Sequence, residues 1–141
     1  MTSTQLLLLP AFAHVGLIFV TVMRMGAGRV AAVRGGEVKV KDVALDNSRW
    51  PDALRKLGNN YQSQFEMPVL YYAVLALVLV TGLADAAQIV LSFAFVATRF
   101  VHSFIHTGAN VMVQRFYAFV AGGACIVIMW LWLGLRLYVT G

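Results

Sequence analysis

Four long apolar stretches, each close to the length of a bilayer crossing, constrain this chain more than any other feature. They run over about residues 5–23, 60–83, 86–106 and 116–138. A run of about 20 apolar residues crosses hydrocarbon as a helix, because only a helix satisfies every backbone N–H and C=O within the segment. Composition agrees. Of 141 residues, 60% are hydrophobic and 12% charged, against about 25% charged in soluble domains, and the mean hydropathy is +0.77. The expectation is an all-α membrane protein, a single domain over residues 1–141 built as a four-transmembrane-helix bundle.

The stretches differ in their punctuation. Pro10 falls in the first turns of the first span, where a missing N–H is tolerated. The run Leu6 to Leu9 followed by Ala11-Phe12-Ala13 resembles a cleavage site, but no basic residues precede it and apolar residues continue to Met23. It reads as an uncleaved first span. A polar, glycine-bearing loop is expected over about residues 24–59; it lacks the Gly-Lys-Ser/Thr ending of a phosphate loop. Asp46-Asn47-Ser48 reads as a turn ahead of a helix start. Spans two and three are joined by a few residues around Asp85, which makes them a tight antiparallel hairpin. Trp130, Trp132 and Tyr138 lie toward the end of the fourth span, where aromatic rings favour the membrane–water interface.

Charge sets the orientation. The net charge is +5, and Arg24, Arg29, Arg34, Lys39, Lys41, Arg49, Arg55 and Lys56 supply eight of the eleven basic residues. A juxtamembrane basic segment facing anionic membrane lipid accounts for this without a nucleic acid. By the positive-inside rule the first and third loops face the cytoplasm and both termini lie outside it. The one cysteine, Cys125, sits in an apolar run and reads as a buried thiol.

Polar groups inside spans are costly and tend to mark function. On the second span Asn60 and Gln64 share a face, and Glu66 lies one turn beyond Gln62. On the third, Gln88, Ser92, Arg99, His102 and His106 recur at three-, four- and seven-residue spacing and project to one stripe, which Asn110 would extend. Arg24 closes the first span and Arg115 opens the fourth at the same level. A cationic pocket of Arg24, Arg99 and Arg115 with Glu66 and two imidazoles suits a carboxylate-bearing ligand. Structural roles compete: an ion pair between Glu66 and Arg99, interhelical hydrogen bonds from His102 and Ser103, snorkelling by Arg24. Ala118 to Gly122 reads as a close-packing face. His102 and His106 stand at i, i+4, yet no third ligand joins them and His14 is expected near the opposite membrane face, so no metal site is expected.

The pattern Asn60-Tyr-Gln-Ser-Gln64-Phe-Glu66-Met-Pro68, then Arg99-Phe-Val-His102-Ser103-Phe-Ile-His106, Asn110 and Arg115-Phe116 resembles the MAPEG superfamily, membrane-associated proteins in eicosanoid and glutathione metabolism, and within it a bacterial branch. The resemblance implies a homotrimer of four-helix subunits in a bacterial inner membrane. It also implies glutathione held between neighbouring subunits near the cytoplasmic face, and an arginine at the position of Arg115 stabilising the thiolate. A cation beside a thiol lowers its pKa and raises the share of nucleophilic thiolate. Glutathione-using members typically carry Arg-x-x-x-Asn-x-x-Glu, with the Glu four residues before the second-span proline. Counted back from Pro68 those positions hold Leu57, Tyr61 and Gln64, while Arg55, Asn60 and Glu66 fall out of phase, and His106 stands where a tyrosine is common. The resulting expectation is a glutathione-dependent transferase or peroxidase acting on lipophilic electrophiles that enter from the bilayer. Arg115 would be its catalytic residue, and Arg24, Asn60, Gln64, Glu66, Arg99, His102, His106 and Asn110 would bind the ligand. The alternative is a non-catalytic protein of the same fold that binds a lipid or other anion, or whose polar cluster only fixes packing. A transporter subunit is disfavoured by the absence of an internal repeat and of a broken second helix.

Overall fold

The computed structural model describes residues 1–44 and 46–139. The described residues form six helices and no strand: α1 (Ser3–Arg34), α2 (Val40–Val43), α3 (Asp52–Glu66), α4 (Pro68–Thr81), α5 (Ala86–Thr107) and α6 (Met112–Tyr138). Among them, four helical runs are long and apolar enough to cross a membrane: α1, α3 with α4, α5 and α6.

The helices outrun the expected spans. Thr2 caps α1 with a capping box, its Oγ1 accepting from the Gln5 N–H while the Gln5 side chain accepts from the Thr2 N–H. From there α1 continues to Arg34, and α3 begins at Asp52, behind Pro51. Most of the expected loop over residues 24–59 is therefore helix, and the connection shrinks to residues 35–51. The cause is packing. Gly28 lets α3 press against α1, since a Cβ at Gly28 would run into the Leu54 side chain. Burial of Leu54 and Ala32 along this contact helps to hold both extensions. Asp46 opens a 3₁₀ turn over Asn47–Arg49 by accepting from the Ser48 N–H.

The second span is not one unbroken ladder. Pro68 has no N–H, so the hydrogen bonding breaks at Met67 and the helix resumes as α4. Met67 keeps helical angles (φ −72°, ψ −39°), so the backbone stays helical through the break. Gly82, with φ +69°, ends α4: its N–H and that of Leu83 return to Leu79 and Val78. Asp85 then caps α5 by accepting from the Gln88 N–H at 3.0 Å. The Asp85 carboxylate also takes the Trp132 indole N–H at 2.8 Å and the Arg136 guanidinium at 3.3 Å, which ties the hairpin to α6. Trp130 instead donates to the Leu70 carbonyl and joins α6 to α4.

The core lies between α1, α4, α5 and α6, around Leu7, Tyr71, Val74, Val78, Phe95 and Met129. One buried hydroxyl chain crosses it. Ser92 donates to the Leu7 carbonyl, which leaves its oxygen to accept from the Tyr71 hydroxyl at 2.7 Å. The packing face expected at Ala118 to Gly122 is present at Gly122, where a Cβ would lie 2.7 Å from Thr98 Oγ1.

Candidate functional site

The polar residues of α3 and those of α5 from Arg99 to His106 lie in the half of the bundle nearer the α1–α3 connection, and they divide into three groups. The first is an internal network. Arg99 is 2% exposed, and Asn60 and Gln64 are fully buried. Arg99 can only donate, so Gln64 must turn its Oε1 toward it, receiving Nε and Nη2 at 3.3 Å. That fixes the rest. His14 Nε2 must donate to the same oxygen at 3.0 Å, which leaves Nδ1 to accept from the Tyr72 hydroxyl at 2.7 Å. The Gln64 NH₂ donates to Asn60 Oδ1, and the Asn60 NH₂ donates to Ser103 Oγ. Arg99 Nη2 also reaches the Ser63 carbonyl and hydroxyl, each at 3.2 Å. Ser63 lies in the last turn of α3, where carbonyls lack intrahelical donors and the helix dipole is negative. Arg99 therefore caps α3 at its break.

Several expectations change here. Glu66 makes no direct ion pair with Arg99. Two residues apart on a helix point to nearly opposite sides, so Gln64 faces the interior while Glu66 is exposed and accepts from Gln62 at 3.4 Å. His14 is not near the far face but inside this network. Asn60 and Gln64 are not at the inner end of their span, because α3 starts eight residues before Asn60, roughly 12 Å of helix at 1.5 Å per residue. Arg24 is exposed on α1 and borders neither hollow beside α3.

The second group borders a cleft of about 330 Å³ between α3, α5 and α6. Glu66, His102, His106 and Arg115 form its polar side, and Met112, Phe116 and Phe119 its apolar side. His102 Nδ1 donates to the Arg115 carbonyl at 3.2 Å, pinning the start of α6 against α5. The Arg115 side chain donates to Asn110 Oδ1 at 2.8 Å. Asn110 holds a left-handed conformation (φ 53°) in the α5–α6 turn, a region Asn tolerates better than most residues. It does not border this cleft; it orients Arg115.

The third group was not anticipated. A cup of about 390 Å³ on the α1 side of α3 is bordered by Arg29, Asn47, Ser48, Arg55, Asn59 and Gln62, with Met25, Gly58 and Tyr61. Arg55, Asn59 and Gln62 lie at i, i+4 and i+7 and share one helix face. Their spacing is Arg-x-x-x-Asn-x-x-Gln, the motif of the glutathione-using MAPEG members with Gln in place of Glu, two residues farther from the proline. Anchoring the count on Pro68 hid it; spacing alone would have found it. Arg29 stacks on Trp50, its guanidinium carbon 4.9 Å from the ring centroid, and its Nη2 lies 3.5 Å from Asn47 Oδ1. Asn59 borders both the cup and the cleft.

Among the described residues no group of three or more His, Cys, Asp or Glu side chains could hold a metal. No curated protein and no solved structure matches the chain. The model of the MAPEG family matches residues 7–135. Together with four apolar spans, that match makes this chain a multi-pass membrane protein belonging to the MAPEG family.

Proposed function

We propose that this protein is a thiol-using membrane enzyme, either a transferase that joins a glutathione-like thiol to a lipophilic electrophile or a peroxidase in which two such thiols reduce a lipophilic hydroperoxide to its alcohol and water and become a disulfide. The observation that carries this reading is the pairing of a polar cup with a half-apolar cleft on either side of α3. The cup offers what a peptide thiol needs: two guanidinium groups for carboxylates, and the amides of Asn59 and Gln62 for its backbone. The cleft offers Arg115 beside apolar Phe116, Phe119 and Met112, all three exposed on the flank of the bundle. A substrate dissolved in the bilayer would enter along that flank.

In this reading the thiol supplies the nucleophile, and the chain's residues bind and polarise. Arg115, held by Asn110 and by its own carbonyl's bond to His102, presents a fixed positive charge that stabilises a thiolate. Glu66, His102 and His106 shape the cleft, while Asn60, Gln64 and Arg99 act from behind it by holding α3 in place. Cup and cleft lie on different flanks of α3 in one subunit. A homotrimer of the kind the resemblance implies would bring the cup of one subunit toward the cleft of its neighbour. The basic residues concentrated at this end direct it toward the cytoplasm, with both termini on the other side of a bacterial inner membrane.

The test is thiol-dependent conjugation of a chloronitrobenzene by the purified protein in detergent. Arg115→Ala should lower the rate about a hundredfold, the usual effect of removing one group that stabilises developing anionic charge. It should leave the circular dichroism and the assembly size unchanged. Loss of assembly in the variant would instead assign Arg115 to packing.

A further inference from the structure

The two imidazoles of the cleft differ in what their nitrogens can do. His102 is 5% exposed and His106 6%, and the rings meet edge to face with centroids 5.5 Å apart. A carbonyl oxygen only accepts, so the 3.2 Å bond from His102 Nδ1 to the Arg115 carbonyl places a proton on Nδ1. The neutral ring then keeps its lone pair on Nε2, the tautomer of a general base oriented through its other nitrogen. His106 is set the other way. Its Nδ1 is buried and has no partner, so an N–H there would lack an acceptor. The neutral ring avoids this by carrying its proton on Nε2, whereas accepting a second proton would create the stranded N–H. His102 Nε2 is not sealed in this way, and the hollow beside its ring is the cleft.

We propose that His102 takes the proton of the thiol, so that an imidazole base makes the nucleophile that Arg115 then stabilises. This rests on the thiol-binding reading above. The S–H bond breaks with its electron pair left on sulfur, an N–H bond forms at His102 Nε2, and the products are a thiolate and an imidazolium. The Arg115 carbonyl then accepts from a cationic ring, a stronger bond than from a neutral one. One residue thus serves both halves of the step: its backbone orients the base, and its guanidinium borders the cleft in which the thiolate forms. The charged and titratable groups around the two rings are Glu66 and Lys56 of α3, Arg99 of α5 and Arg115 of α6. The thiolate supplies the counter-charge of the imidazolium, and the proton passes to water once the thiolate has reacted.

Counting protons tests this. Glutathione is titrated near neutral pH into the full-length protein in detergent. Thiolate is read by its ultraviolet absorbance, and proton release by calorimetry in two buffers of different ionisation enthalpy. The wild type should form thiolate while releasing far less than one proton per thiolate, because the proton stays on His102. His102→Asn keeps an N–H for the Arg115 carbonyl and removes the base. It should form less thiolate, or release about one proton for each thiolate formed, and it should conjugate a chloronitrobenzene at least a hundredfold more slowly at neutral pH. That deficit should shrink in alkali, where hydroxide takes the proton instead; a purely structural defect would be the same at every pH. The wild-type count needs no variant: one proton released per thiolate, or binding with no thiolate formed, overturns the inference and leaves thiol binding standing. Proton retention undiminished in His102→Asn would also overturn it. If glutathione does not bind at millimolar concentration, the thiol-binding reading falls and takes this inference with it.

Discussion

Arg99 shows how one side chain organises its surroundings. It is buried, charged and bonded to no carboxylate, and it is tolerated because its guanidinium donors find a fixed amide oxygen, a hydroxyl and a helix-terminal carbonyl. Arg99→Ala would leave the Gln64 oxygen with His14 as its one donor and take the guanidinium from the Ser63 carbonyl, and a hydrogen bond to a charged group contributes about 1.5–3 kcal/mol. Thermal unfolding in detergent should therefore show a loss of about 2–4 kcal/mol, with Arg99→Lys between the variant and the wild type, because an ammonium lacks the fork that reaches both sites. An unchanged midpoint for Arg99→Ala would mean that water or lipid replaces those bonds. At this scale the sequence was only half legible. The stripe of Arg99, His102 and His106 on α5 follows from helical periodicity and is present. Which acceptor Arg99 meets does not follow from periodicity, because Gln64 and Glu66 are two residues apart and only the three-dimensional packing decides which of them turns inward.

Between elements, close approach does the corresponding work. Gly122 lets α6 lie against Thr98 and Phe95 of α5, whereas a methyl group added at Gly134, on the same helix, would meet nothing within 4 Å. Gly122→Val should destabilise the bundle by about 1–3 kcal/mol, the usual cost of overpacking, and Gly134→Val should be close to neutral in the same unfolding assay. Equal effects would show that the α5–α6 contact has room for a side chain at Gly122. The connection beside the cup makes a pH prediction. The Ser48 hydroxyl and N–H, with Arg49 beside them, hold the Asp46 carboxyl below its ordinary value. A lowered folded-state pKa contributes stability above the unfolded value near 3.8, and that contribution is lost as pH falls through the lowered value. Protection of the Ser48 amide against hydrogen exchange, relative to its intrinsic rate, should therefore hold at neutral pH and decline in strong acid. Asp46→Ala should remove the dependence. The polar composition of residues 24–59 concealed the helix extensions on either side of this turn, because glycine and charge read as loop until Gly28 is seen to face Leu54.

For the molecule as a whole, the four spans, the short connection at Asp85 and the family were all readable from the sequence, since hydropathy and a few anchored motifs are local properties. The division of the polar cluster into network, cleft and cup was not, because it depends on which side of α3 each residue faces. That division gives the residues distinct duties: Arg99, Gln64, Asn60 and His14 hold the bundle, Arg115 and the two imidazoles border the cleft, and Arg29, Arg55, Asn59 and Gln62 border the cup. The ionisation of a bound thiol is the sharpest probe of whether cup and cleft act together as a thiol site. Ultraviolet absorbance of the thiolate, followed against pH with saturating glutathione, should show a bound thiol that ionises below its value in free solution, and Arg115→Ala should return it toward that value. Saturable binding with the same thiolate titration in both proteins would contradict the role given to Arg115, and no saturable binding at all would contradict the thiol site itself.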